Sequence, residues 1–371
     1  MGLHWKILMK FINYLLFISM LLISSCSQFG PELMKAGRND YNKVLAQTDD
    51  EETLLNLIRL RYADNPAFLK VNSVSTSFNW KEGFGIDGSL FRGDGVGKDN
   101  IGIRGNTEYV EKPTITYSPL SGADFVKNVL TPIDHQVILL LTRSGWSMDR
   151  IMRLTINRIN NINNASEASG PTPAQAPDYK EFIKLTETFR KLQKSSKITL
   201  GYQLDGNPDD LALLIKNDFK EDDDVKSLLK ELKINSNNNI IPITNNFFDG
   251  SKTENIQIEA RSLAGILFFL SHGVEVPVDD ISNGRVTVTK DEEGNTFDWN
   301  QVLNGIFSVH TSKEAPSQAT VAVEYRGNWF FIKDNDMQSK YTLMLLNQIS
   351  ALQSGKIEKA GPILTLPVSS N

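Results

Sequence analysis

The sequence predicts an α+β fold with mixed or antiparallel sheets and packed helices. Apolar residues at helical spacing and stretches of period-two alternation both recur along the chain, and they interleave without the βαβ rhythm of a parallel sheet. A content of 40% hydrophobic and 22% charged residues is typical of a globular protein. No repeat of solenoid or propeller period is present. The predicted helices and strands follow an N-terminal segment of different character.

Residues 1–25 have the organisation of a secretory signal peptide. Lys6 and Lys10 give the start a positive charge, and no acidic residue accompanies them. They precede an apolar run over residues 11–23, which is shorter than the ~20 apolar residues that a membrane-spanning helix needs. A plain secretory signal and an uncleaved N-terminal anchor helix are the alternative interpretations of this segment.

The apolar run ends at Cys26, the only cysteine in the chain. Ile23-Ser24-Ser25-Cys26 resembles the lipobox of bacterial lipoproteins. The resemblance implies that the Cys26 sulfur receives diacylglycerol, that the chain is cut before Cys26, and that fatty acid such as palmitate is added to the new amine. Two acyl chains suffice for stable membrane attachment. Residues 26–36 would form the lipidated tether, and Ser27 in place of aspartate implies anchorage in the outer membrane, facing the periplasm.

Composition and spacing exclude several functional classes. Acidic residues outnumber basic ones, 44 against 39, and no basic block stands out, so nucleic acid is not an expected partner. His135, His272 and His310 are far apart and belong to no HExxH motif, and GxSxG is absent. We therefore predict no catalytic residue, no metal ligand and no cofactor-binding residue, and the only assigned site is lipidation at Cys26.

The N-terminal α+β part is expected to span residues 37–161. A core face is predicted from Leu54, Leu55, Ile58 and Tyr62, which recur at helical spacing. The predicted elements in chain order are helices over 37–48 and 50–63, strands over 68–80 and 108–117, helices over 121–130 and 133–143, and a helical turn followed by a strand within 146–159. The Gly-rich segment 83–105 between the first two strands is predicted to be a flexible hairpin or surface loop.

Residues 162–177, rich in Asn, Ala, Ser and Pro, are predicted to be a linker or long exposed loop before the C-terminal α+β part, 178–371. Gly273 is expected to end the helix before it in the left-handed conformation. The predicted helices of this part cover 178–194, 208–219, 223–233, 261–271 and 334–353. Its predicted strands cover 198–204, 240–244, 254–259, 285–290, 306–311, 319–325, 329–332 and 362–367.

Two sets of acidic residues can each be interpreted either functionally or structurally. The run over residues 221–224 is expected to be a solvated face, with cation binding as the weaker alternative. Asp334 and Asp336 resemble a catalytic pair, but their position favours helix capping. A buried stripe of the following helix is predicted from Tyr341, Leu345, Ile349 and Leu352.

Four segments are similar to a family of uncharacterised proteobacterial envelope lipoproteins. They are RYADNPAFL at 61–69, YSPLSG at 117–122 with LTPI at 130–133, RSLAG at 261–265 with SHGVEVP at 271–277, and VEYRGNWF at 323–330. The resemblance implies an envelope lipoprotein but no activity. These motifs place Pro, Gly, aromatic and Arg residues at the ends of elements, which suits fold determinants and also suits a binding surface.

The expected function is that of an outer-membrane-anchored, non-enzymatic structural or interaction component of a cell-envelope assembly, such as a secretion machine. Its expected partners are the membrane, through the lipid, and other envelope proteins, and an oligomer is compatible with this. One alternative is a periplasmic hydrolase of peptidoglycan or glycans that uses paired carboxylates. The other is a glycan or small-molecule binding module that uses Trp80, Trp146, Trp299 and Trp329.

Overall fold

The computed structural model describes residues 29–88, 101–202, 211–235, 238–245 and 254–354. The protein has the predicted α+β fold, with packed helices and a mixed sheet. Its described chain forms two compact units: Ala67–Leu130, and a larger unit that combines the residues up to Pro66 with those from Thr131 onward. This division does not coincide with the predicted one at 162–177. Cys26 and the predicted strand 362–367 lie outside the described residues.

The smaller unit is built on one long hairpin. Strand β1, Leu69–Gly88, pairs with the antiparallel strand β2, Ile101–Pro119. Both strands are longer than predicted and take in the described residues of the Gly-rich segment. The hairpin is followed by helix α2, Gly122–Phe125, and a π-helical turn, Val126–Leu130, where one α-helix was expected.

The larger unit begins with helix α1, Phe29–Arg61. The predicted break near Thr48 is wrong, because the helix continues through it, and the predicted tether at 29–36 is helical. Leu54, Ile58 and Tyr62 are buried as expected. The last two turns of α1 therefore enter the core, while residues 42–49 are largely exposed.

Short elements make up the rest of the larger unit. Its helices are α3 His135–Arg143, α4 Met148–Thr155, α5 Lys180–Lys194, α6 Asp223–Glu231, α7 Leu263–Ser271, α8 Val278–Ser282, α9 Asn300–Leu303 and α10 Met337–Ser354. Its strands are β3 Ile156–Ile159, β4 Ile162–Asn163, β5 Ile198–Tyr202, β6 Leu211–Ile215, β7 Ile240–Thr244, β8 Ile256–Ala260, β9 His310–Ser312, β10 Ala319–Tyr325 and β11 Asn328–Lys333. Two 3₁₀ turns, Ser166–Ser169 and Asn217–Phe219, complete the set.

Two sheets organise this unit. The six-stranded sheet has the order β4-β3-β8-β7-β6-β5, in which β7 and β8 are parallel and every other pair is antiparallel. The three-stranded sheet has the order β10-β11-β9 and is antiparallel. Helices α3, α4 and α5 pack against the larger sheet. A cavity of about 30 Å³ lies between these helices and the sheet, lined by apolar residues that include Ile138, Met152, Phe189 and Leu213.

The first part of the segment predicted as a linker or exposed loop packs into the core, whereas residues 171, 174 and 175 are exposed. Asn164, Ala165 and Ala168 are almost completely buried. The Asn164 side-chain amide donates to the carbonyl oxygens of Arg153 and Ile156, at 2.9 and 2.7 Å. Around residues 164–168, the small, polar composition therefore reflects tight packing with satisfied hydrogen bonds and does not indicate exposure.

Other expectations differ at single elements. The helix predicted over 208–219 is wrong, because Leu211–Ile215 is a buried strand in the middle of the sheet. The periodicity of a short apolar run does not distinguish a helix from a buried strand. The strand predicted over 285–290 contributes only two isolated bridges, from Lys290 to Gln175 and to Thr296. Tyr341 on α10 is exposed, whereas Leu345 and Ile349 are buried as predicted.

Candidate functional site

Two of the sequence motifs meet in the larger unit. Tyr62 and Asp64 follow the end of α1, and Tyr325 and Arg326 lie at the turn between β10 and β11. With Asp280 of α8 they form a cluster of tyrosines, carboxylates and a guanidinium, which we call the Tyr–Asp–Arg cluster. The rings of Tyr62 and Tyr325 are 5.6 Å apart in an edge-to-face arrangement, so the motifs are in direct contact.

Asp280 is the buried carboxylate of the cluster, with only 3% of the residue exposed. The Tyr62 hydroxyl donates a hydrogen bond of 2.6 Å to one of its oxygens, and Arg285 Nη1 donates to the other at 2.6 Å. These bonds hold the pKa of Asp280 below its ordinary value, Tyr62 making the largest contribution. Burial, and then the bond to Asp280, raises the pKa of Tyr62. The pair is therefore an ionised carboxylate with a protonated phenol.

Asp64 is the half-exposed carboxylate of the same cluster. It accepts hydrogen bonds from the Tyr325 hydroxyl and, at 2.8 Å, from Arg326 Nη2. The bond from Tyr325, followed by that from Arg326, lowers the pKa of Asp64. The Arg326 guanidinium also lies 5.1 Å from the ring centre of Tyr62, within reach of a cation–π interaction. Each carboxylate thus has one tyrosine and one arginine as donors.

Arg261, from the RSLAG motif at 261–265, is fully buried. Its guanidinium donates to Ser169 Oγ at 2.7 Å, to the Arg153 carbonyl at 2.8 Å and to the Asn164 carbonyl, and it lies 4.0 Å from the ring centre of Phe269. Burial lowers the pKa of Arg261 to about 9. No carboxylate of the described chain forms an ion pair with it. Arg261 therefore ties its own segment to those of Arg153 and Asn164 through carbonyl oxygens, and to Ser169 through a side-chain hydroxyl.

Part of the remaining motif, LTPI at 130–133, is bonded to the segment that contains Arg261. The Ile133 amide donates to the Arg261 carbonyl at 2.8 Å, and Pro132 forms a bridge with Ser262. Ser262 caps α7 by accepting a hydrogen bond from the Gly265 amide. Within the larger unit, the motif residues are therefore concentrated around the ends of α1 and α7 and the β10–β11 turn.

His272 ends α7 in an apolar setting. Its ring stacks on Trp299 at 4.0 Å, and neither ring nitrogen has a hydrogen-bond partner among the described residues. Burial, together with the positive charges of Arg61 and Arg261, lowers the pKa of His272 to about 3. His272 is consequently neutral at physiological pH and unsuited to holding a proton there.

Gly273 follows, but the predicted left-handed conformation is wrong, because Gly273 is absent from the residues with positive φ. Glycine is needed there for space: a Cβ atom would lie 2.9 Å from the Phe307 carbonyl oxygen.

The chemistry of the Tyr–Asp–Arg cluster favours a structural role, in which it holds secondary-structure elements together. General acid catalysis needs a carboxyl that holds a proton near the working pH, whereas the donors on Asp64 and Asp280 keep both ionised. The described part of the chain contains no group of three or more His, Cys, Asp or Glu residues placed to bind a metal. The cluster joins α1, α8 and the β10–β11 turn.

The structure also places the other predicted residues. Asp336 caps α10 by accepting from the amides of Gln338 and Ser339, both at 3.1 Å, which confirms the capping interpretation for Asp336 but not for Asp334. Asp334 pairs with Lys340 at 2.7 Å. In the acidic run, Asp222 caps α6 and accepts from Lys197 at 2.6 Å, so this carboxylate is engaged in a helix start.

Three of the four tryptophans proposed as a binding surface have different surroundings in the larger unit. Trp299 is buried against His272, Trp146 donates to Gln348 Oε1 at 2.8 Å, and Trp329 lies in β11 beside β9. The side chain of Trp80 lies outside the described residues.

Asp280 and Arg285 are the members of this region that sequence reasoning missed. The signal that could have found them is Pro277 followed by two aspartates, a pattern typical of a helix start. The pattern does not reveal that Asp280 turns inward toward Tyr62, because that depends on how α8 packs.

No helix among the residues that the structure describes is both long and apolar enough to cross a membrane. Comparisons of this chain with protein families, curated proteins and solved structures find no match.

Proposed function

We propose that this protein is an outer-membrane-anchored lipoprotein that serves as a non-enzymatic structural or interaction component of a cell-envelope assembly. Cys26 would carry the lipid, the body would face the periplasm, and other envelope proteins would be its partners. A secretion machine is the type of assembly we have in mind. The proposal rests on the lipobox resemblance at Cys26 and on the form of α1.

The observation that carries the proposal is the exposed helix that follows the predicted anchor. Helix α1 begins three residues after Cys26, and from Asn42 to Asp49 every side chain except Leu45 is exposed. At 1.5 Å per residue, its 33 residues span about 50 Å. A helix of this kind suits a stalk that holds a folded body away from the lipid anchor.

The Tyr–Asp–Arg cluster supports the same proposal from the other end of the helix. It lies directly after α1 and bonds this end to residues more than 200 positions away, such as Asp280 and Tyr325. A firm joint between stalk and body transmits position and force, which a component of an assembly requires. No specific observation favours the hydrolase or the tryptophan-lined binding module.

Palmitate labelling tests the anchor. Wild type should take up label and fractionate with the outer membrane, whereas Cys26→Ser lacks the nucleophile and should not be labelled. The control keeps Cys26 and changes the neighbouring Ser27 to Thr, which should still be labelled. Label that persists in Cys26→Ser, or a wild type that never takes label, would overturn the anchor.

Co-purification tests the interaction role. After extraction in a mild detergent, the tagged protein should retain defined envelope proteins. A chain with Lys43→Glu, on the exposed face of α1, serves as a control for non-specific charge effects. A strictly partner-free particle from cells in which the protein is fully lipidated would count against an assembly component.

A further inference from the structure

Helix α10 has two apolar faces. On one face, Leu345 and Ile349 are completely buried in the core. On the other face, Met337, Tyr341 and Met344 are 45, 42 and 46% exposed. A surface helix usually has one apolar stripe toward the core and polar residues opposite, and a helix that is apolar on all sides is normally buried. The exposed face of α10 is therefore suited to being covered by a further segment.

The exposed residues of this face are regularly spaced. Gln348 and Ala351 are also exposed, so the series recurs at i, i+4, i+7, i+11 and i+14 from Met337. We call these five residues the α10 seam. Alternating steps of four and three keep one line along a helix, here over about 21 Å at 1.5 Å per residue. Lys340, the only charged residue of α10, flanks the seam and is paired with Asp334.

The seam has the composition and the rigidity of a contact surface. Tyrosine and methionine are enriched at the centres of interfaces, where charged residues are depleted. The one polar side chain of the seam, Gln348, already accepts a hydrogen bond of 2.8 Å from Trp146 Nε1. The Arg150 guanidinium lies 5.9 Å from the ring centre of Tyr341 and donates to the Gln338 carbonyl at 2.9 Å. An uncharged and largely apolar segment would match this surface.

The chain supplies such a segment immediately after α10. Residues 355–371 lie outside the described residues, and their sequence divides into two parts. The first seven, GKIEKAG, carry three charges and begin and end with glycine. Residues 362–368, PILTLPV, carry no charge. In an extended chain Leu364, Leu366 and Val368 would project to the same side, because side chains alternate along it.

We propose that residues 362–368 run back antiparallel to α10 and cover the α10 seam. Seven extended residues at about 3.3 Å each span about 23 Å, which matches the length of the seam. Residues 355–361 provide the reversal, since Pro362 and the residue before it disfavour a continued helix. A tethered occupant also has an effective concentration on the order of mM, which favours it over a free partner.

The competing occupants are a second copy of this chain and a helix of an envelope protein. The same spacing of four and three occurs where two helices pair. Either competitor would meet the seam at a helix whose own continuation is apolar and long enough to reach it. The inference goes beyond the proposed function and does not depend on lipidation of Cys26, so each can fail independently of the other.

Methionine oxidation by hydrogen peroxide measures the cover, because an exposed thioether is oxidised faster than a buried one. Met337 and Met344 should react slowly in the full chain and several-fold faster in a chain that ends at Ser354. Met148 and Met152, only 3 and 5% exposed, are internal controls and should react slowly in both chains if the shortened one is folded. Equal rates for the two seam methionines in both folded chains would overturn the proposal.

A second variant keeps the full length of the chain. Leu364→Ser combined with Leu366→Ser removes apolar side chains from the proposed cover, and should raise the oxidation rates of Met337 and Met344 several-fold. The control, Ser369→Ala combined with Ser370→Ala, alters the same segment beyond its apolar run and should leave both rates unchanged. If the leucine variant behaves like this control, residues 362–368 do not cover the seam.

Disulfide trapping tests the direction of the segment. In the Cys26→Ser chain, which has no native cysteine, Met337→Cys with Val368→Cys should form a disulfide within one chain. Met337→Cys with Gly361→Cys is the mismatched control and should give a several-fold lower yield, since residue 361 would lie at the other end of the seam. Disulfides mainly between copies, seen as a species of twice 41.5 kDa, would make a second copy the occupant and refute the proposal.

Discussion

Tyr62 donates a 2.6 Å hydrogen bond to Asp280, a residue 218 positions later in the chain. The bond fixes the end of α1 to α8, and it is buried. The Tyr325–Asp64 bond repeats the same chemistry at the surface edge of the cluster. The two bonds offer a matched comparison, because the donor and acceptor types are the same and the burial differs.

Tyr62→Phe removes the hydroxyl and leaves the buried Asp280 with one donor fewer. Hydrogen bonds to charged groups contribute about 1.5–3 kcal/mol to stability. We therefore expect the free energy of unfolding to decrease by about this amount. In the matched control Tyr325→Phe, water can reach Asp64, so the loss should be smaller. Urea unfolding followed by circular dichroism measures both. Equal losses would show that burial does not set the strength of these bonds.

His272 should make the protein less stable in acid. Its pKa is about 3 in the folded state and 6.5 when unperturbed, so the unfolded chain binds more protons between these values. Stability is therefore complete above pH 6.5 and is lost as pH falls toward 3, at up to about 1.4 kcal/mol per pH unit. His272→Phe keeps a ring against Trp299 but cannot titrate, and should flatten this dependence.

His135 is the comparison for that experiment. Burial also lowers the pKa of His135, so His135→Gln should remove a separate part of the same acid sensitivity. Thermal unfolding at pH 5 and pH 7.5 measures each variant and the double variant. An unchanged difference between the two pH values in His272→Phe would contradict the assignment.

Arg261→Met tests the buried guanidinium. The substitution keeps much of the volume but leaves the carbonyl oxygens of Arg153 and Asn164 without this donor. We expect a loss of about 3 kcal/mol or more, because unpaired buried polar groups each cost about 1–3 kcal/mol. Arg158→Met, at a half-exposed ion pair with Glu259, is the control and should change stability by less than about 1 kcal/mol. Similar losses in the two variants would refute a special role for Arg261.

Gly273→Ala tests the close approach at the end of α7. The added Cβ would lie 2.9 Å from the Phe307 carbonyl, and this backbone atom cannot move without shifting its segment. Overpacking of this kind costs about 1–3 kcal/mol. Gly201→Ala in β5 is the control, since no atom lies within 4 Å of its Cβ position. An unchanged denaturation midpoint for Gly273→Ala would show that the contact relaxes freely.

Local signals predicted much of the fold. Phe182, Leu185, Phe189 and Leu192 recur at helical spacing and are all buried on α5. The strands β10 and β11 were predicted on the two sides of Arg326-Gly327, both of which have positive φ in the turn that joins the strands. These elements were predictable because neighbours in sequence determine them.

Other elements depend on contacts that sequence does not display. Leu211–Ile215 is a strand because β5 and β7 flank it, and Ala165 and Ala168 are buried because α7 packs on their turn. The motif segments were recognised as unusual, but their meeting in one cluster follows from long-range packing. The pattern after Pro277 indicates a helix start, but it does not distinguish Asp280 from its neighbour Asp279, which has the same chemistry.

The contacts that fix α1 also set an order of folding. Tyr62, Asp64 and Asp50 bind Asp280, Arg326 and Asn347, across sequence separations of 218, 262 and 297 residues. During synthesis the N-terminus emerges first. The apolar end of α1 is therefore exposed long before any of these partners has been made. Contacts of such separation slow folding and prolong exposure of apolar surface. Among the described helices, α1 therefore completes its contacts only when α10 has been made, so its apolar end is exposed through most of synthesis.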